Sequence, residues 1–134
     1  MNAPFFDTNI LVYYFAGDES EKQRRARQLL YTERGFTGLN NLNEMVWVLF
    51  RKKILPPAQL ILAIDEMERA LRVITPTIQH QRDAVRVMLR YGFSYYDSLV
   101  IAAALAQKCQ KLYSEDLQNG QVLDGVLTVV NPFG

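Results

Sequence analysis

Four acidic residues of this 134-residue chain stand against its most apolar segments. Asp7 ends the apolar run of "APFFDTNILVYY", Glu44 opens "EMVWVLF", Asp97 opens "DSLVIAAALA" and Asp116 follows "KLYS". An ionised carboxylate taken out of water costs several kcal/mol unless something positive meets it. Brought together, four such groups repel one another, and a hard divalent cation is the natural relief. Mg²⁺ takes oxygen ligands, needs only a few carboxylates and keeps several waters. Zinc does not fit, because His80 lies alone in the polar "QHQRD" stretch and Cys109 is the only cysteine. With Mg²⁺ or Mn²⁺ present, the expected chemistry is phosphodiester hydrolysis, the metal polarising the phosphate and acidifying a bound water. Thr8, Asn9 and Ser114 are short polar side chains close to Asp7 and Asp116, suited to holding metal waters, a phosphate or the local backbone.

Each acid also has a purely local reading. A carboxylate in a first helical turn is stabilised by the helix dipole. Ser94 to Asp97 fits a capping box and Asn41 to Glu44 is a near relative. Asp116 suits a turn, and a shifted turn would put Glu115 in its place. The other acids, including Asp18, Glu19, Glu21, Asp65, Glu66, Glu68 and Asp83, read as solvated.

The elements that would position the four alternate in period. "APFF", "GFTG", "RVIT", "QKLYS" and "GVLTVV" read as short strands, with "EDLQNGQ" as a turn. Helices are expected over "TNILVYYFA", "SEKQRRARQLLYTE" (capped by Ser20), "NNLNEMVWVLFRK", "PPAQLILAIDEMERAL", "PTIQHQRDAVRVMLRYG" (closing on Gly92) and "SYYDSLVIAAALAQK". The third helix is expected to turn Leu42, Met45, Val46, Leu49 and Phe50 inward, and the fourth Leu60, Ala63, Ile64, Met67 and Leu71. Strands separated by helices imply a parallel sheet covered on both faces, a three-layer α/β/α domain over 1–134 with a mostly parallel sheet of four to five short strands. In such a sheet the strand C-termini and the following helix N-termini share one edge, where ligands bind. The four acids would converge there.

Lys and Arg number 15 against 14 Asp and Glu, so a nucleic-acid site has to be a local patch. One cysteine excludes an internal disulfide and fits a reducing compartment, its thiol buried and inert. "MNAPFF" lacks a basic leader, and "LVIAAALA" is far short of a membrane span, so the expectation is a cytoplasmic protein with no membrane partner.

The ordered set "FFDTNILVYY", "NNLNEMVWVL", "FSYYDSLVIAAAL" and "KLYSEDLQNG" resembles the PIN-domain ribonucleases, and among them the VapC-type toxins of toxin–antitoxin pairs. The resemblance runs over essentially the whole chain. It implies that Asp7, Glu44, Asp97 and Asp116 form the acidic metal site of a Mg²⁺- or Mn²⁺-dependent endoribonuclease, and that Asn9 and Ser114 fill small polar positions beside it. It also implies a homodimer and a cognate antitoxin whose C-terminal segment covers the groove. Glu115 is then displaced by Asp116 as the fourth acid.

Arg51, Lys52 and Lys53, ending the third helix, are candidate RNA contacts, with "KQRRAR" and the Arg82, Arg86, Arg90 stripe behind them; each also reads as a solvated face. Trp47 and Val48 are left over once the inner face is served, and with Tyr13 and Tyr14 they suggest a partner groove or, equally, burial under neighbouring helices. A haloacid-dehalogenase-like phosphatase would want an acid at position 9, where Asn9 stands, and a receiver-like signalling domain an acidic pair after the first strand. A housekeeping PIN-domain RNA-processing nuclease fits the same residues.

Overall fold

The computed structural model describes residues 3–16 and 20–134; Asp18 and Glu19 lie outside the described residues. Its strands are β1 (Phe5–Phe6), β2 (Phe36–Gly38), β3 (Arg72–Ile74), β4 (Lys111–Tyr113), β5 (Val122–Leu123) and β6 (Leu127–Val130). They form one sheet in the order β3-β2-β1-β4-β6-β5, parallel throughout except for β5 against β6. The connecting helices are α1 (Thr8–Tyr14), α2 (Glu21–Glu33), α3 (Leu39–Arg51), α4 (Leu60–Ala70), α5 (Ile78–Tyr91) and α6 (Tyr95–Ala106).

The layers follow from the two-residue period of a strand. Phe6 faces a core built with Ile10, Leu11, Leu29, Leu30, Met45, Leu49 and Met67, so α1 to α4 cover that face. Phe5 faces a second core with Val87, Ile101, Ala104, Leu112, Leu123 and Val129, so α5 and α6 cover the other. Both phenylalanines are fully buried, which is why two residues suffice for the central strand. Cys109 lies in the second core, and burial pushes its thiol up to about 11.

Three expectations need correction. The sheet has six strands among the described residues, because Val122–Leu123, between the expected turn "EDLQNGQ" and the expected last strand, pairs back on β6 as a hairpin. Asp124 and Gly125 both take positive φ (51° and 68°), and the Val126 N–H closes the turn on the Leu123 carbonyl at 3.1 Å. An Asp-Gly pair between apolar residues is the usual signature of such a turn. In α3, Leu42, Met45 and Leu49 are buried and Val46 is partly so, but Phe50 is 51% exposed. Val48 instead packs on the core. The buried stripe thus runs through Leu42, Met45 and Leu49, flanked by the partly buried Val46 and Val48, and leaves Phe50 outside beside Trp47. The fourth helix also starts later than expected: Pro57–Gln59 form a single 3-10 turn before α4.

Candidate active site

β1 lies between β2 and β4, and the chain reaches those two neighbours through helices on opposite faces of the sheet. This is the point where the winding reverses and where a crevice opens at the strand C-termini. Asp7 and Ser114 are the residues that leave β1 and β4 there, and the Ser114 hydroxyl donates to Asp7 Oδ2 at 2.8 Å. Asp7 is also the N-cap of α1, its Oδ1 accepting the Thr8 N–H at 2.8 Å. The cap reading was therefore correct, but it accounts for only one carboxylate oxygen.

A third donor comes from a residue the sequence reading treated only as part of a capping box. Asn41 is buried, and its Nδ2 donates to Asp7 Oδ1 (3.2 Å) and to the buried Thr8 hydroxyl (3.0 Å). Its Oδ1 accepts the Gly38 N–H at 3.1 Å, at the start of α3. One amide thus joins the end of β2 to the end of β1. The signal was an Asn three residues after a glycine that ends a strand.

Burial raises the Asp7 carboxyl from 3.8 to about 6, against the lowering effect of the Thr8 and Ser114 hydrogen bonds. The negative charges of Asp116 and Asp97 contribute smaller parts of the same rise. Asp116 is raised too, by burial and then by Glu115 and Asp97, while Asn9 lowers it by donating Nδ2 to both carboxylate oxygens at 3.1 Å. Asp97 lies in the first turn of α6, where its backbone N–H donates to the Ser94 hydroxyl at 3.1 Å. Among the described residues its carboxylate has no hydrogen bond of its own, so capping uses the backbone and leaves the charge facing Asp7 and Asp116.

Asp7, Asp97 and Asp116 therefore form one electrostatic group. Glu44 is not among the charges acting on Asp7 or Asp116. It is exposed on α3 and borders an adjoining cleft with Asn41, His80 and Tyr96. Glu115 is turned away: it accepts from Tyr13 Oη (2.7 Å) and Lys22 Nζ (2.6 Å), and Lys22 also lies over the rings of Tyr13 and Phe133. Its charge is met where it stands, whereas that of Asp116 is not.

The donors available to a cation at this edge are carboxylate, amide and hydroxyl oxygens, the set a hard ion prefers. Among the described residues no three His, Cys, Asp or Glu side chains stand close enough together to ligate an ion as they are.

The remaining expected contacts are elsewhere. Arg51, Lys52 and Lys53 follow the far end of α3, roughly 15 Å along the helix axis from Asn41 at 1.5 Å per residue. Trp47, 57% exposed, lines a shallow recess with Phe50, Arg51, Lys53, Leu55, Pro56 and Pro57. Val48, Tyr13 and Tyr14 do not share it: Tyr13 is held by Glu115, and Tyr14 Oη donates to Glu66 at 2.7 Å. The single groove expected from these four residues is not formed, because both tyrosines spend their hydroxyls inside the fold. On α5, Arg86 pairs with Asp83 and Arg90 with Asp124, as a solvated face does.

The PIN domain family model matches residues 5–120. The chain belongs to the PIN domain family. Among curated proteins none matches it. This PIN domain is similar in fold to VapC20 of Mycobacterium tuberculosis, described as a sarcin-ricin loop cleaving toxin, with a TM-score of 0.70 and 18% identity over 85% of this chain and 90% of that one. It is similar to a chain of a toxin-antitoxin complex from Klebsiella pneumoniae (TM-score 0.72, 20% identity, 97% and 98% covered). A third likeness is to VapBC2 of Rickettsia felis, bound to a DNA fragment from its promoter (TM-score 0.66, 15% identity, 94% and 97% covered). At these identities the likeness speaks for the fold. No helix among the described residues of this PIN domain is long and apolar enough to cross a membrane.

Proposed function

We propose that this PIN domain is a divalent-metal-dependent endoribonuclease and the toxin of a toxin–antitoxin pair, its antitoxin being the protein partner. The observation that carries this is Asp7, held by three donors at the winding reversal of the sheet and pressed upon by two further acids. A fold gains nothing from such an arrangement unless a cation is bound there. Asp7, Asp97 and Asp116 are the residues that would hold Mg²⁺ or Mn²⁺, with Glu44 at the adjoining cleft. Such an ion supplies charge neutralisation for the phosphate and a water acidic enough to attack near neutral pH.

The chain's own residues do the positioning. Ser114, Asn41 and the Thr8 N–H fix both oxygens of Asp7, so its orientation costs no reorganisation when substrate arrives. Asn9 holds Asp116 through both oxygens, and Lys22 with Tyr13 fixes Glu115 and offsets its charge, which otherwise acts on Asp116. The likeness to a sarcin-ricin loop cleaving toxin and to chains of toxin–antitoxin complexes supports the toxin role and the antitoxin partner; a homodimer and a cytoplasmic location are part of the proposal. Asp7→Asn is expected to abolish both RNA cleavage and growth inhibition with the fold intact. Retained cleavage by that variant would sink the assignment. Thermal stabilisation by Mn²⁺ that disappears in Asp97→Asn tests the metal separately.

A further inference from the structure

Asn41 links the acidic group to a cleft between the N-terminal ends of α3, α5 and α6, which Glu44 also lines. Its walls include Leu39, Asn40, Asn41, Pro76, His80, Tyr96, Leu99 and Val100. Apolar side chains make up most of its walls, and its mouth opens to solvent. Asn41 belongs to both places: its amide holds Asp7, and its side lines the cleft. Whatever fills the cleft is therefore an immediate neighbour of the group that reacts at Asp7.

We propose that this cleft is a nucleobase subsite, seating one unpaired base of the RNA strand next to the scissile phosphate and giving the enzyme its sequence preference. The inference rests on the nuclease reading above. Three features favour a base over an aliphatic side chain. Tyr96 is 78% exposed, touches Tyr95 edge-on at 5.9 Å between centroids, and otherwise offers an open ring face. Bases stack on such faces whatever their identity. His80 is held by the α5 cap, where its Nδ1 accepts the Thr77 N–H at 3.0 Å, so the neutral ring carries its proton on Nε2 and keeps a donor for a base edge. Leu39, Pro76, Leu99 and Val100 supply the apolar floor, while Asn40 adds an amide at the rim. Three helix N-termini at one edge also favour the phosphates of the strand over the acids that would repel them.

The test uses the full chain and short single-stranded RNAs differing at one nucleotide beside the cleavage site. Tyr96→Ala is expected to lower kcat/KM at least tenfold on the preferred sequence, mainly through KM, and to flatten the preference. Tyr96→Phe, which keeps the ring, is expected to retain both, and His80→Gln to change the preferred base. Melting curves check that the variants fold, and divalent-ion binding is expected to be unchanged. If wild type cleaves RNA and Tyr96→Ala cleaves the same sites with the same KM, the subsite is refuted and the nuclease stands. If Tyr96→Ala keeps its cleavage pattern but escapes inhibition by a partner protein, the cleft is a protein-docking site and the inference is overturned. If wild type cleaves no RNA, the nuclease reading fails and the subsite fails with it.

Discussion

Replacing Asp7 by Asn is expected to make the protein more stable when divalent cations are absent. The carboxyl rises from 3.8 to about 6 on folding, and at about 1.4 kcal/mol per tenfold change in proton affinity this bounds the penalty near 3 kcal/mol. The sign follows from the direction of the shift. Below pH 3.8 the group is protonated in both states, and the wild type carries no penalty. As pH rises through the window from 3.8 to about 6, the unfolded chain releases its proton first and the folded state loses ground. Above that window the loss is complete and constant. Asn keeps the local geometry: its Oδ1 can still accept from Thr8 and Asn41, and its Nδ2 can donate to Ser114, whose hydroxyl turns from donor to acceptor. The variant should therefore exceed wild type by about 1–3 kcal/mol at pH 8 in chelator, and match it near pH 3.5. Urea titrations across that range, followed by far-UV circular dichroism, measure the gap. Saturating Mn²⁺ should reverse the order, since binding to the folded state alone at a thousandfold excess over Kd adds about 4.1 kcal/mol to the wild type. A variant that is less stable than wild type at pH 8 in chelator, or a gap independent of pH, would refute the reasoning.

Asn41→Ala is expected to act in the opposite direction, because it strips the Gly38 N–H and Asp7 of a buried partner; a loss of about 1–3 kcal/mol should appear in the same titrations, with reduced cleavage. Gly35→Ala is expected to cost more than about 3 kcal/mol or prevent folding, since its Cβ would lie 2.0 Å from the Pro4 carbonyl oxygen where the starts of β1 and β2 meet; soluble yield and Tm report it. Cys109, fully buried with its thiol pushed up to about 11, is expected to resist a thiol reagent at pH 8 until denaturant is added.

Much of this domain was readable from residue order because its signals are local. Ser20 and Ser94 cap helices, Gly92 ends one in the left-handed region, and the strand–helix alternation implies parallel strands whose C-termini share an edge. That is enough to carry Asp7, Asp97 and Asp116 to one edge without any knowledge of contacts. The exposure of Phe50 was not readable: Val46 and Val48 both pack on the core beside Leu42, Met45 and Leu49, and Phe50 is left outside against Trp47. Nor was the choice between Glu115 and Asp116. Both are acids in one turn, and only the approach of Lys22 and Tyr13 from α2 and α1 neutralises the first while leaving the second beside Asp97. Asn41 shows the same division. Its side chain could have faced solvent, and what makes it part of the site is that β1 and β2 pair in register, bringing Gly38 and Asp7 within reach of one amide. Periodicity and capping depend on neighbours in sequence and are written there. Which charge is met and which is left for a ligand depends on partners up to 107 residues away, as between Asp7 and Ser114, and exists only once the sheet has formed.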